Sequence, residues 1–450
     1  MTKSFLPEAG SIAATSARAL RARILAGDLT ARDVAAALLH RIAEVEPHIR
    51  AFAWHDPEQV LAQADALDAW LRAGRRPGPL HGVPVGVKDV IDTRDIATEY
   101  GCAVTRGHVP DADAAVIERL HAAGAIVMGK TVTTELAFMH PGQTRNPLNT
   151  DHTPGGSSSG SAAAVAAGMI PLAIGTQTGG SVTRPASFCG VVGFKPGFGV
   201  ISRRGVLLQS HTLDTVGVFA RDPYDAELLV DVLSGPDHAD PATRGTAATA
   251  LAQSAGGSDR RVLNLALVRL PGVDEAHYAT LSDALAALPA DRVRITECAL
   301  PEGFEHIADL RERINFVEMA EYYAWIEARN ADLLSDRVRA AMEAGKQVSA
   351  GDYMAALTAR QRAQDALARD FGGYDAILST ATAGPPPQGL KSTGTAICNG
   401  LWTFTGAPAV NLPIGPVRPD GLRLGLQITA SQGRDADVAA VGRALFDLLD

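Results

Sequence analysis

Two glycine–serine turns and one lysine hold the residue types that acyl transfer needs. The first turn reads Gly155-Gly156-Ser157-Ser158-Ser159-Gly160-Ser161, and the second reads Gly179-Gly180-Ser181-Val182-Thr183-Arg184-Pro185. Upstream, Lys88 closes the apolar run Val83-Pro84-Val85-Gly86-Val87 and precedes Asp89. A serine hydroxyl attacks a carbonyl once a base takes its proton, and converging backbone N–H groups stabilise the oxyanion that forms. Glycines at 179 and 180 let such N–H groups converge on Ser181 without steric cost. Taken alone, a serine after Gly-Gly is an ordinary turn residue.

The base has two sources. Histidine is the usual partner of a catalytic serine, and the chain has twelve, among them His81, His140, His152 and His211. None lies in a GxSxG elbow, an HExxH or another signature, so each reads as a surface or core residue. Lysine serves instead where burial lowers its pKa toward neutrality. A lysine in mid-strand is rare and costly, and therefore informative. The plainer reading is that Lys88 pairs with Asp89 or another acid. No Ser-x-x-Lys places a base beside a nucleophile, so the relay would fall to a serine of the first turn. A Walker loop fails because Ser161-Ala162 follows Gly160 where Lys-Ser/Thr is required, and GxGxxG is absent there. A flexible linker is disfavoured by the apolar runs flanking both turns.

Strands and helices must position these turns. Thr30 to Asp33 is a capping box for a helix ended by Pro47, and a second helix runs from about Glu58 to Arg72, stopping at Gly74. Residues 1–80 therefore read as a helical region. Val83 to Ile91, Ala125 to Met128, Ile170 to Gly175 and Gly425 to Thr429 read as buried strands. Ala114 to Ala123, Ser159 to Ala167 and Ala436 to Leu449 read as helices. Alternation of this kind predicts an α/β sheet with helices on both faces. Residues 234–261 read as a surface connection, and Ala383 to Pro387 as a rigid loop. Ile307 to Phe371 reads as a charged helical stretch broken near Gly345 and Gly351, with Tyr322, Tyr323 and Trp325 packed against the core.

Composition narrows the class. The 450 residues carry a net charge of −9 and are 46% hydrophobic. That balance argues against nucleic acid or an anionic membrane as a partner. Cys102, Cys189, Cys298 and Cys398 form no CxxC pair and read as reduced, mostly buried thiols rather than a disulfide or zinc framework. The first ten residues have no signal-peptide pattern and no run of eighteen apolar residues occurs, so a cytoplasmic enzyme is expected.

The ordered motifs resemble the amidase signature family over most of the chain. They run from His81-Gly82-Val83-Pro84-Val85-Gly86-Val87-Lys88-Asp89 through Gly129-Lys130-Thr131, Arg145-Asn146-Pro147 and the two turns. They continue to Phe188-Cys189-Gly190-Val191-Val192-Gly193-Phe194-Lys195-Pro196 and Gly406-Ala407-Pro408-Ala409-Val410-Asn411-Leu412-Pro413. The resemblance implies a single domain over 1–450, with the core motifs in 81–230 and remaining sheet and pocket elements in 262–450. Its fold would be a central mixed sheet covered by helices on both faces.

The same resemblance implies roles. Ser181 would be the nucleophile, Ser157 a bridging serine preceded by a cis peptide, and Lys88 the neutral base. The N–H groups of Thr178, Gly179, Gly180 and Ser181 would form the oxyanion hole, with Ser158, Ser159 and Asp89 in support. No metal or organic cofactor is implied, and homodimerisation follows from the family alone. Many members carry Asp before Thr-Gly-Gly-Ser and Arg two residues after the serine. Here Gln177 precedes the turn and the cation is Arg184, three residues on, which resembles malonamidase-type members. Arg184 is thus expected either to bind an anionic acyl group or to pair with an acid under the loop. Met139 and Gln177 are further candidate substrate contacts, with pocket walls expected from 139–144, 310–325 and 384–400. The threonine usual after Lys-Pro is replaced by Gly197. The expected function is an amidohydrolase acting on a small amide through an acyl-serine, with ester cleavage as a side activity. Two alternatives stand beside it: an amidotransferase component passing ammonia to a partner, and a noncatalytic scaffold, against which the intact Lys88, Ser157 and Ser181 argue.

Overall fold

Eleven strands form one sheet in a computed structural model that describes residues 4–252, 262–415, 418 and 420–449. They are β1 (Phe52–Trp54), β2 (Pro84–Lys88), β3 (Ile126–Thr131), β4 (Leu172–Gln177), β5 (Val192–Lys195), β6 (Thr215–Ala220), β7 (Leu263–Val268), β8 (Val293–Cys298), β9 (Ala376–Thr380), β10 (Ala409–Ile414) and β11 (Leu424–Thr429). The spatial order is β1-β3-β2-β4-β6-β5-β10-β11-β9-β7-β8. The sheet is mixed: β2 runs parallel to β3 and β4, and β7 to β8 and β9, while the remaining pairs are antiparallel.

Side-chain alternation splits the core into layers. Ile126 and Met128 of β3, with Ala173 of β4, pack against the N-terminal helices. Val127, Leu172 and Ile174 point the other way, into a larger cluster. In β7 the same alternation sends Leu265 and Leu267 to that cluster, and Ala266 and Val268 to a third. Because both faces are covered, these strands read as continuous apolar runs in the sequence. The all-small helix Ser159–Ala166 is buried along its whole length.

Several local expectations need correction. The helix Ala31–Ile49 opens on the Thr30/Asp33 capping box but runs through Pro47. It ends where Arg50 turns left-handed (φ 57°), and the Glu46 carboxylate accepts from the N–H groups of Ala51 and Phe52, both at 2.9 Å, leading the chain into β1. The N-terminal region is therefore not purely helical. The charged stretch does break between Gly345 and Gly351, at Val348-Ser349, and also before Asp336, but the two glycines themselves lie inside the helices Asp336–Gln347 and Ala350–Phe371. Serines set those breaks: Ser335 and Ser349 accept from the N–H groups of Val338 and Asp352 and start each helix afresh. Tyr323 is buried and donates to the Leu136 carbonyl at 2.7 Å, as packing requires, but Trp325 is exposed. Of the connection after Ser234, residues 253–261 lie outside the described residues. All four cysteines are free, Cys298 half-buried and the others buried. No helix among the described residues is long and apolar enough to cross a membrane.

Gly197 is held against Asp435. Its N–H donates to Asp435 Oδ1 at 2.7 Å, and a Cβ there would stand 2.9 Å from Oδ2. A threonine at 197 would displace the Asp435 carboxylate.

Candidate active site

The carboxyl ends of the parallel neighbours β2 and β4 bring the pieces together. Lys88 is the last residue of β2 and is fully buried. Its Nζ donates to Ser157 Oγ at 2.8 Å and to Thr176 Oγ1, on β4, at 2.7 Å. Burial pushes its pKa down to about 7, and Asp214 opposes the shift. The pairing of Lys88 with Asp89 does not form. Asp89 instead lies 3.6 Å from Lys130, the neighbouring lysine on β3. The Gly156–Ser157 peptide is cis, as the family resemblance implies. Beyond it, Ser158 Oγ bonds the Thr176 carbonyl at 3.2 Å and Ser159 Oγ the Gly155 carbonyl at 2.8 Å, which fastens the first turn to β4 and to itself.

The second turn leaves β4 directly. Ser181 is 8% exposed and lines a cavity of about 440 Å³ together with Thr178, Gly179 and Gly180. Among the described residues, the backbone N–H groups of 178–181 donate to no protein acceptor. They remain available to an oxygen in the cavity. Thr178 Oγ1 donates to Asp214 Oδ1, and the other Asp214 oxygen accepts from the N–H groups of Gln209 (2.6 Å) and Ser210 (3.0 Å). Asp214 thus braces the turn from behind while acting electrostatically on Lys88.

Gln177 does not reach the cavity. Its Oε1 accepts from the N–H groups of Val182 (2.8 Å) and Thr183 (3.1 Å), and its Nε2 donates to Thr403 Oγ1 at 3.0 Å. Both ends of the amide are occupied in shaping the start of the helix Thr183–Cys189, so the expected substrate contact is replaced by a bracing one. Met139 is exposed and stands in the cavity wall. Arg184 also lines the cavity, but no acid pairs with it among the described residues. Its Nη2 donates to the Gly156 carbonyl at 2.6 Å and to Thr393 Oγ1 at 3.4 Å. The remaining walls come from 304–316 and 393–401, overlapping the expected segments, and from Gln209 and Pro271. Thr176, Asp214 and Arg311 are site residues that the sequence reading missed.

The amidase family profile matches residues 33–439. The chain belongs to the amidase signature family. This amidase-family chain is 35% identical over 474 residues to a glutamyl-tRNA(Gln) amidotransferase subunit of Symbiobacterium thermophilum, covering 95% of this chain and 96% of that protein. Among solved structures, native peptide amidase from Stenotrophomonas maltophilia matches with a TM-score of 0.84 at 29% identity, over 97% of each chain. A 6-aminohexanoate cyclic dimer hydrolase matches with a TM-score of 0.87 at 25% identity, over 98% of this chain and 97% of that one. The mixed sheet with helices on both faces is the amidase signature fold expected from the motifs.

Proposed function

We propose that the protein cleaves a carboxylic amide through an acyl-enzyme on Ser181, giving a carboxylate and ammonia or an amine. The observation that supports this most directly is the 2.8 Å contact of the fully buried Lys88 with Ser157. A lysine with a pKa near 7 is substantially neutral at physiological pH, so its lone pair can accept the Ser157 proton. Ser157 in turn takes the proton of Ser181, whose oxygen adds to the amide carbonyl. The four N–H groups of 178–181 receive the oxyanion. The relay then returns the proton to the nitrogen, the C–N bond breaks, and water hydrolyses the ester on Ser181. Arg184, by holding the Gly156 carbonyl, positions Ser157. Its placement three residues after Ser181, as in malonamidase-type members, supports a carboxylate on the acyl group.

The ammonia has two destinations. Release to water makes the protein a free-standing amidohydrolase, a reading supported by the likeness to peptide amidase. Delivery to a partner makes it one component of an amidotransferase. Similarity to such a component over 95% of the chain, at 35% identity, favours this second reading over the hydrolase. The free thiols accord with a cytoplasmic setting for either.

An amide panel with ammonia detection, run on the purified chain and its Ser181→Ala variant, tests the assignment. Turnover by the isolated chain that vanishes in the variant supports the hydrolase. Ammonia release that appears only with a co-purified partner supports the amidotransferase component. Turnover that survives Ser181→Ala overturns the nucleophile, and no turnover in either setting favours a scaffold.

A further inference from the structure

The cavity contains a second arginine that no sequence motif announces. Arg311 projects from the helix Ile307–Tyr322 onto the nucleophile turn. A Cβ on Gly179 would stand 3.2 Å from its Nη1, and one on Gly400 2.8 Å from its Nε. The guanidinium therefore rests against the backbone that leads into Ser181. Its side chain is 14% exposed, and its ion pair is with Glu312 at 3.6 Å, a carboxylate more than half exposed to solvent. Among the described residues it donates no hydrogen bond. Arg184 faces the same space, with its Nε buried and unpartnered. Burial first, and the charge of Arg311 second, lower the Arg184 pKa to about 10.

Two mostly buried cations sharing one cavity are mutually unfavourable. Among the described residues, the only carboxylates lining the cavity are Glu305 and Glu312, both exposed and so largely screened by solvent. A guanidinium with unused donors presents a planar fork suited to a carboxylate. An anion bridging Arg184 and Arg311 would supply both missing partners.

We propose that Arg311 is a specificity-determining residue that, together with Arg184, receives a carboxylate carried by the amide substrate. This rests on Ser181 being the nucleophile. Since Arg311 lies on Gly179, within the turn that faces the reacting carbonyl, the carboxylate sits only a few bonds from the scissile amide. The substrate class is the half-amide of a short dicarboxylic acid, or an amide of comparable size with a carboxylate at that distance. Arg184 has a second task on the Gly156 carbonyl, so its removal mixes binding with the placement of Ser157. Arg311 has no such tie and is the cleaner probe.

The test compares succinamic acid with succinamide, which differ by a carboxylate against a carboxamide, and pairs it with calorimetric binding of succinate and butyrate. The wild-type chain is expected to favour succinamic acid in kcat/KM. Arg311→Met is expected to lower the ratio of the two kcat/KM values on the order of 100-fold, and Arg311→Lys to retain part of the preference. Succinate is expected to bind more tightly than butyrate, with affinity falling as salt rises. Equal losses on both amides in Arg311→Met, or no wild-type preference, overturn the proposal. If neither amide turns over, or if Arg311→Met does not fold, the wild-type calorimetry decides, and equal binding of succinate and butyrate overturns it. Activity that survives Ser181→Ala breaks the nucleophile assignment instead, and succinate binding still reports on Arg311.

Discussion

Lys88 and Lys195 end two strands of the same sheet, and they look alike until their neighbours are compared. Each is fully buried, and burial pushes the pKa of each to about 7. Lys88 touches two hydroxyls, Ser157 and Thr176. Lys195 touches two carbonyls, those of Pro196 at 2.9 Å and of Ala407. A carbonyl only accepts, whereas a hydroxyl also gives up a proton. A depressed lysine pKa is therefore a mark of burial, and it becomes chemistry only where an adjacent group has a proton to transfer. Lys130, beside Lys88 on β3, shows a third arrangement: its charge is met by Asp89, the Ile91 carbonyl at 2.7 Å and Thr98 Oγ1 at 2.5 Å.

Substitution separates the three. Lys88→Met is expected to lower kcat/KM on any accepted amide by on the order of 10³-fold with the fold retained, whereas Lys195→Met keeps turnover within about tenfold of wild type. Similar losses in the two variants, measured on protein of equal circular dichroism, would erase the distinction. Lys130→Met strands the buried Asp89 carboxylate and should cost about 3–5 kcal/mol of stability in denaturant titration, with Asp89→Asn in the same chain recovering part of it. No recovery would mean that the pair is not what holds that corner.

The pH dependence sharpens the comparison further. A base that must be neutral gives a rate that climbs about tenfold per pH unit below roughly 7 and levels above it. Stability follows a different window. Between about 7 and the ordinary value of 10.5, the unfolded chain binds protons on Lys88 and Lys195 that the native chain does not, so both contributions to unfolding free energy rise with pH there. Lys195→Met should flatten part of that rise while leaving the rate profile in place. A rate profile that moves with Lys195→Met would contradict the division of roles. The smallest expected effect is Gly197→Ala, which crowds Asp435 near Lys195 and should cost about 1 kcal/mol in thermal denaturation without altering turnover.

The two glycine–serine turns are legible in the sequence because the chemistry proposed for them is local. Glycines, serines and a lysine after an apolar run announce themselves by type. Strands such as β2 and β4 were legible because both their faces are buried. What pairs across the sheet was not: Thr176 is one hydroxyl at the end of an apolar strand, and nothing near Asp214 marks it as facing Thr178. Arg311 was hidden in the charged run Asp309-Leu310-Arg311-Glu312-Arg313, where only the helix's crossing over Gly179 and Gly400 distinguishes it. Gln177 shows the opposite case. Its adjacency to the turn suggested substrate, but its amide folds forward onto the next helix.

The reach of two side chains sets a rule for anyone recombining such enzymes. Arg184 stretches back to the Gly156 carbonyl, and Ser158 of the first turn bonds the backbone of Thr176 that leads into the second, so the two turns behave as one cassette. A chimera joined anywhere between Ser161 and Gly175 would inherit half of each clasp. Grafts are expected to keep their activity only when 155–184 travels as a single unit, with Thr393 and Thr403 matched in the recipient.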